Sequence, residues 1–231
     1  MNTQLHLLFG FCIIMLLSIN TSHAVTLDEA VDRVQDRYEK IGNFQADFSQ
    51  TSFLKTIKKK QISKGRVFIK KPGMMRWEYK EPEEQLIVSD GKIIWFYVPA
   101  DKQVMMSSAG SAADSHVLNI FLSGSGKLRD TFKIEFEDDP KGHSERSEES
   151  KLLAQQEQYL LRLIPKKSQP NMAKLLIGVS KDDFKIETSI VYDIYGNQTI
   201  VNFSNIEMNK GIEEDLFRFE VPKGVRIVTQ Q

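Results

Sequence analysis

Hydrophobic residues recur along this chain with two different periods, and the change from one to the other falls at Gly42. Before this glycine, apolar residues repeat every three to four positions, which is the period of an amphipathic helix. The stretch begins with the capping-box sequence Thr26-Leu27-Asp28-Glu29 and stops at the glycine, so we predict a helix over residues 26–42. Its apolar face carries Leu27, Ala30, Val31, Val34, Tyr38 and Ile41.

After Gly42, apolar and polar residues alternate, which is typical of strands with one covered face. The turn sequences Asp90-Gly91 and Tyr195-Gly196-Asn197 separate such runs. We therefore predict a mainly β (α+β) fold, with about ten to eleven antiparallel strands in a meander. The runs are 44–48, 65–71, 75–79, 84–89, 92–98, 132–136, 158–164, 172–179, 186–194 and 198–208.

Two segments interrupt the predicted meander. Residues 114–123 place Leu118, Phe121 and Leu122 on one side of a short helix, which the glycine at position 124 ends. A helix inserted in a β meander has to cover a face of the sheet. Residues 138–156 are polar, charged and without a period, so we predict a disordered, solvated insert there.

The first 24 residues indicate the destination of the chain. Residues 5–19 are almost wholly apolar and precede Ser22-His23-Ala24, a sequence of the type that signal peptidase cleaves. This apolar run is shorter than the roughly 20 residues that a membrane-spanning helix needs. We therefore predict a cleaved signal peptide over residues 1–24 in preference to a membrane anchor. Residues 25–231 suit a single domain.

The charge balance indicates no net electrostatic attraction to nucleic acid or to anionic lipid, and it leaves only local charged patches open. The chain has 31 Lys and Arg residues and 31 Asp and Glu residues, so it carries no net positive charge. The basic run at residues 55–60 has no accompanying aromatic side chains on which bases could stack. We interpret this run as the solvated end of a hairpin.

Few side chains suited to catalysis are present. The one cysteine, Cys12, lies in the apolar leader, and beyond residue 24 the only histidines are His116 and His143. A histidine-based triad or a metal site is therefore not expected. Two facing carboxylates, as in a glycosidase, remain open as an enzymatic arrangement. We predict no enzyme, no metal and no cofactor.

Large, soft apolar side chains are concentrated in neighbouring predicted strands. Each one taken singly is accounted for by an ordinary β core. Together they indicate more, because flexible methionine side chains suit a surface that accepts chains of variable shape. We expect helices to cover this surface and a binding cavity to appear when they are displaced. We assign the cavity to Met75, Trp77, Tyr79, Trp95, Tyr97, Leu118 and Phe121.

Lys71 is a polar residue in an apolar context. If the strand 65–71 stays extended, Lys71 shares the face of Val67 and Ile69, just before Pro72 ends the strand. A buried ammonium group needs hydrogen-bond acceptors. Two interpretations stand: either the chain bends and Lys71 reaches solvent, or Lys71 is a lid latch that donates to backbone carbonyls of a covering helix.

Several short motifs, in their order and spacing, resemble the LolA family of periplasmic outer-membrane-lipoprotein carriers. The resemblance covers nearly the whole chain after residue 24, apart from 138–156. Its motifs are Phe44-x-Ala46-x-Phe48-x-Gln50, Gly65, Lys71-Pro72, Arg76-Trp77-x-Tyr79-x-x-Pro82, Val88-Ser89-Asp90-Gly91-Lys92-x-x-Trp95-x-Tyr97-x-Pro99, Gln103 and Phe217-x-Phe219-x-x-Pro222-x-Gly224-Val225.

This resemblance implies an unclosed antiparallel β-barrel whose concave face is covered by the N-terminal helix and by short helices. It also implies a cavity for the acyl chains of outer-membrane lipoproteins, and no catalysis. The implied partners are an inner-membrane ABC transporter of the LolCDE type, which loads the carrier, and an outer-membrane receptor of the LolB type. A periplasmic monomer is expected. The alternative function is a periplasmic module of the same fold that senses lipids or lipoproteins, as an envelope-stress regulator would.

The family usually has arginine at the position of Lys71, where the basic residue holds the lid. Lysine cannot make the forked contacts of a guanidinium group. The resemblance therefore implies that this chain has a looser lid than its relatives.

Overall fold

The computed structural model describes residues 24–109, 127–137, 158–169 and 171–229. Within them, helix α1 (Leu27–Lys40) precedes the sheet, helix α2 (Leu128–Thr131) precedes its seventh strand, and a 3₁₀ helix (Glu214–Phe217) precedes its last. The strands are β1 (Asn43–Leu54), β2 (Lys59–Lys70), β3 (Met74–Glu81), β4 (Gln85–Asp90), β5 (Ile93–Val98), β6 (Gln103–Ser108), β7 (Phe132–Phe136), β8 (Gln158–Pro165), β9 (Lys174–Ser180), β10 (Ile186–Tyr192), β11 (Gln198–Met208) and β12 (Arg226–Thr229).

All twelve strands form one unclosed sheet, in the order β12-β6-β5-β4-β3-β2-β1-β11-β10-β9-β8-β7. The predicted mainly β architecture is therefore confirmed, with one strand more than the upper end of the expected range. Neighbouring strands are antiparallel except for β12, which pairs in parallel with β6. The sequence did not reveal β12, because its four residues are mostly exposed and show no alternation.

Strand β1 joins the two halves of the sheet. On one side it pairs with β2 along its whole length, and on the other it pairs with β11 from Phe44↔Met208 to Phe53↔Gln198. The strands β2 to β6 follow one another on the first side, while β11 to β7 follow in reverse order on the second. This seam is the one long-range strand pairing that connects the halves in the described part of the chain.

Helix α1 confirms the predicted amphipathic helix. The Glu29 backbone N–H donates to the Thr26 hydroxyl oxygen at 3.2 Å, as the capping-box pattern predicts. Its buried residues are Ala30, Val31, Val34 and Tyr38. They belong to one hydrophobic cluster with side chains of both halves of the sheet. We call the sheet face that α1 covers the inner face, and the opposite one the outer face.

The outer face of β2 to β6 is covered by the chain that leads from β11 to β12, which we call the outer strap (residues 209–225). Ile212 and Phe217 of the strap are buried against Phe68 of β2. Lys70 Nζ donates to the Ile212 carbonyl at 3.0 Å, and Arg76 Nη1 donates to the Leu216 carbonyl at 3.2 Å. The strap is thus fixed by both apolar and polar contacts.

Several predictions concern segments outside the described residues: the leader up to residue 23, the short helix 114–123 and the insert 138–156. They stay predictions. In the described part of the chain, no helix has the length and apolar content that spanning a membrane requires.

Candidate functional site

The inner face is built from rows of side chains that strand pairing brings side by side, because directly paired residues project to the same face of a sheet. One row runs through Phe44, Ile69 and Met75. The next runs through Ala46, Val67 and Trp77. Here the alternating apolar residues of β1 to β3 form a continuous surface under α1. Of the predicted cavity residues, Met75 and Trp77 are almost fully buried in this surface, with 4% and 2% exposure.

Aromatic rings form the part of this surface that lies nearer to the turn between β1 and β2. The Phe48 ring lies edge-on to both Trp77 and Tyr79, with ring centroids 5.0 Å apart in each pair. Gly65 makes this arrangement possible, because a Cβ atom there would lie 1.9 Å from the Glu78 carbonyl oxygen and 2.9 Å from Phe48 Cζ. The structure thus brings Met75, Trp77 and Tyr79 together on one face.

Tyr79 is a polar residue within this apolar face. Its hydroxyl donates to Gln50 Oε1 at 3.1 Å. The phenol is neutral at physiological pH, and burial disfavours its charged form further by raising the pKa of Tyr79 to about 12. The face is therefore uncharged at this position.

The inner face continues beyond Trp77 into β4, β5 and β6 but is less deeply buried there. Strand pairing carries the row from Trp77 to Ile87, Phe96 and Met105 in turn. Ile87, Phe96 and Met105 are each only half-buried. Ile87, Phe96 and Met105 are not among the cavity residues that were predicted from the sequence.

The structure does not bring Trp95 and Tyr97 to the inner face, so their assignment to the cavity is wrong. Trp95 pairs with Val88, which pairs with Arg76, the outer-face neighbour of Trp77. Both rings contact Phe219, with centroid distances of 6.1 Å for Trp95 and 5.6 Å for Tyr97. Strand β5 is apolar on both faces, so its sequence contains no alternation from which the inner face could be recognised.

Lys71 lies in a turn, and its side chain contacts the carboxyl-terminal end of α1. Strand β2 ends at Lys70, and Lys71 starts the following turn, so the strand ends one residue before the end of the run 65–71. Its Nζ atom donates to the backbone carbonyls of Tyr38 at 2.6 Å and Glu39 at 3.2 Å. Desolvation lowers the pKa of Lys71, and the negative charge of Glu39 opposes this shift.

These contacts suit a cation chemically. The carbonyls of Tyr38 and Glu39 belong to the last turn of α1, where carbonyl groups lack partners within the helix. The negative end of the helix dipole also lies there, so an ammonium group is favoured. This arrangement has the geometry that a latch requires, while the role itself stays a prediction.

Other contacts of α1 could not be predicted from the sequence. Arg129 of α2 donates to the carboxylates of Asp28 and Asp32, both at 2.9 Å. At the other end of the helix, the Ile186 backbone N–H donates to the Tyr38 hydroxyl oxygen at 3.0 Å. Burial raises the pKa of Tyr38 above its ordinary value. Such contacts join residues far apart in the sequence and leave no local pattern. Leu118 and Phe121, also assigned to the cavity, lie outside the described residues.

Comparisons with known proteins identify the family of this chain. The family model described as outer membrane lipoprotein carrier protein LolA matches residues 39–145 and 139–220. The outer-membrane lipoprotein carrier protein of Nitrosomonas europaea is 31% identical over 199 residues, which are 86% of this chain and 88% of the relative. That of Chromobacterium violaceum is 32% identical over 184 residues, 80% of each chain.

Among solved structures, an uncharacterized conserved protein from Thermus thermophilus matches with a TM-score of 0.51 and 16% sequence identity. The match covers 88% of this chain and 98% of that protein, and it shows a likeness of fold alone. The family model and the relatives show more, because they extend over most of the sequence: this chain belongs to the LolA family of outer membrane lipoprotein carrier proteins.

Proposed function

We propose that this protein carries lipoproteins and holds their acyl chains against the inner face of the sheet. One observation supports this most directly. The row of large apolar side chains that α1 covers over β1 to β3 continues, only half-buried, over β4 to β6. Acyl chains would enter at the half-buried part and extend under α1 as the helix moves. Met75, Trp77, Tyr79, Ile87, Phe96 and Met105 would contact them.

Covering helices make such binding reversible. Burying each methylene contributes about 0.8 kcal/mol, so a bundle of acyl chains held in an empty cavity would hardly dissociate. Displacing α1 removes its own apolar contacts, which offsets part of this gain. In the unloaded protein, the same helix prevents the face from becoming a large exposed apolar patch. Lys71 would act as the latch that favours the covered state.

The proposal includes a compartment and two partners. Cleavage after Ala24 would release the protein into the periplasm. An inner-membrane ABC transporter of the LolCDE type would load it, and an outer-membrane receptor of the LolB type would receive the cargo. The family is one of carriers, which supports binding and transport in place of catalysis. In the residues that the structure describes, no three His, Cys, Asp or Glu side chains are grouped so that they could hold a metal ion.

Strand β6 offers a matched pair of variants to test the inner face. Met105 and Met106 are consecutive, both half-buried, and lie on the inner and outer face respectively. Met105→Glu places a carboxylate on the proposed acyl-binding face, where desolvating the charge opposes binding. Met106→Glu places the same group on the other side of the strand.

The assay adds purified protein to spheroplasts that express a labelled outer-membrane lipoprotein and measures the lipoprotein in the supernatant. The unmodified protein is expected to release it, Met106→Glu to release a similar amount, and Met105→Glu at least tenfold less. Circular dichroism confirms that both variants are folded. No release by the unmodified protein would refute carriage, and equal losses in both variants would refute the assignment of the inner face.

A further inference from the structure

Exposed apolar side chains are clustered at one end of the sheet. Of the six large hydrophobic residues that are exposed in the described part of the chain, all but Ile227 lie at two hairpin tips. We call them the hairpin-tip patch: Leu54, Ile57 and Ile62 of the β1–β2 hairpin, and Ile194 and Tyr195 of the β10–β11 turn. Tyr195 is 72% exposed and Ile57 is 63% exposed.

The two tips are neighbours because β1 pairs with both β2 and β11. The β1–β11 pairing continues to Phe53↔Gln198, directly below the tips. There the Lys55 backbone N–H donates to Asn197 Oδ1 at 3.0 Å, which joins one turn to the other. The patch is therefore contributed by two adjoining hairpins, with Leu54 and Ile62 on opposite faces of the first hairpin.

This surface also projects from the sheet. Pairing between β2 and β3 ends at Lys64↔Glu81, whereas β2 stays paired with β1 up to Lys59↔Leu54. Residues 59–63 thus extend roughly 16 Å past the last β3 pair. A projecting tip can contact a broad, flat partner before the rest of the protein does.

The projecting hairpin is strongly basic. Lys55, Lys58, Lys59 and Lys60 are all exposed, and the sequence between Asp47 and Glu78 contains no acidic residue. Lys64, which does pair with an acidic residue, lies further from the tip, where it contacts Glu81 at 3.2 Å. Ile57 thus lies among lysines, and these lysines adjoin the turn of Ile194 and Tyr195, which contains one acidic residue, Asp193.

We propose that the hairpin-tip patch binds the surface of membranes that contain anionic phospholipid. Apolar side chains would enter the boundary between headgroups and acyl chains, while the lysines lie at the level of the phosphates. A polybasic segment is attracted by an anionic lipid surface. The composition favours a lipid surface over an acidic protein, because protein interfaces are enriched in arginine and depleted of lysine. The inference does not depend on lipoprotein carriage, since none of its residues belongs to the inner face under α1.

The test measures co-sedimentation of the purified chain from Val25 onward with two kinds of vesicle. One kind contains phosphatidylethanolamine and phosphatidylglycerol, and the other contains phosphatidylethanolamine and phosphatidylcholine. The protein is expected to bind the anionic vesicles, and added salt should weaken binding because salt screens exposed charges. Replacing Lys58, Lys59 and Lys60 by glutamine should lower the partition coefficient about 100-fold. The double variant Ile57→Ser and Tyr195→Ser should lower it about tenfold or more.

Two controls separate the patch from general charge and hydrophobicity. Lys40, Lys92 and Lys210 are exposed at the opposite end of the strands, so replacing them by glutamine removes the same charge elsewhere. Ile227→Ser removes the one exposed large apolar residue outside the patch in the described part of the chain. Both controls should bind vesicles like the unmodified protein.

Three results would overturn the proposal. They are equal binding to both kinds of vesicle, equal losses in the patch and control variants, and no vesicle binding at all. Light scattering also detects the alternative in which the patch joins two copies of this chain. A dimer that the patch variants dissociate, without vesicle binding, would assign the patch to self-association and refute the membrane surface. Met105→Glu, which tests lipoprotein carriage, should leave vesicle binding unchanged.

Discussion

Two consecutive lysines at the end of β2 contact covers on opposite sides of the sheet. Lys70 Nζ donates to the Ile212 carbonyl of the outer strap at 3.0 Å and contacts Glu214 at 3.2 Å. Lys71 Nζ donates to the carbonyls of Tyr38 and Glu39 at the end of α1. In both cases an ammonium group binds backbone oxygen, but the two covers are attached to the sheet in different ways.

The outer strap is attached by strand pairing at both ends. It follows β11, which pairs with β1, and precedes β12, which pairs with β6. Helix α1 is followed by a paired strand, but in the described residues its amino-terminal part is held only by side chains, among them Arg129. Moving the inner cover therefore breaks side-chain contacts, whereas moving the outer one breaks backbone hydrogen bonds of the sheet. This difference supports the inner face as the proposed site of reversible binding.

The largest expected effect concerns the outer cover. Phe217 is only 1% exposed, and Phe217→Ala should lower the free energy of unfolding by about 3–5 kcal/mol. Urea unfolding followed by circular dichroism measures this change. At a temperature where the variant is folded, lipoprotein release should be unchanged. A loss of release by folded Phe217→Ala would contradict the separation of the two covers.

A second effect, on the inner side, appears at alkaline pH. The folded protein raises the pKa of Tyr79 from 10.0 to about 12. The stability that the neutral phenol contributes is therefore complete below pH 10 and is lost as the pH rises towards 12, by about 2–3 kcal/mol. Unfolding free energies measured between these pH values should fall less steeply in Tyr79→Phe than in the unmodified protein. Identical slopes would show that Tyr79 is not buried in solution.

A third comparison removes each ammonium group in turn. Lys70→Met and Lys71→Met should each lower the free energy of unfolding by about 1–2 kcal/mol, because each loses hydrogen bonds of a charged donor. They should differ in the binding of a fluorescent fatty-acid probe. Lys71→Met should bind it more tightly than the unmodified protein, since α1 is then displaced more easily, and Lys70→Met should bind it equally well. Equal behaviour of the two variants would refute the latch.

The smallest effect is expected from Lys71→Arg. A guanidinium group can donate to several carbonyls at once, so α1 should be held more firmly and probe binding should weaken a few-fold. Stopped-flow fluorescence should also show slower probe entry. If retention and transfer of lipoprotein do not change in this variant, Lys71 does not set the strength of closure.

Much of the architecture could be predicted from local patterns. The helical period before Gly42 and the alternation of residues such as Phe44, Ala46 and Phe48 are visible in the sequence, and the structure confirms both elements. Met75, Trp77 and Tyr79 could be assigned to one face, because β3 alternates cleanly. The sequence therefore predicts a face best where the opposite side of the strand is polar.

Where both sides of a strand are apolar, this rule fails. Trp95 and Tyr97 belong to a strand with no polar positions, and their face depends on the length of the turn at Asp90-Gly91-Lys92. A shift of one residue there exchanges the two faces. Contacts such as Arg129 with Asp28 depend on the path of the chain through space, so no local pattern predicts them.

The seam between β1 and β11 also determines the order in which the molecule can assemble. Strands β2 to β6 pair mainly with near neighbours in the sequence, whereas Phe44 meets Met208 across most of the chain. Contacts between distant residues form slowly, because a long loop must first close. A polypeptide that is made from its amino end can thus form the β1 to β6 part of the sheet early. The edge of β1 that later pairs with β11 must then stay unpaired with other strands until the last third of the chain is present.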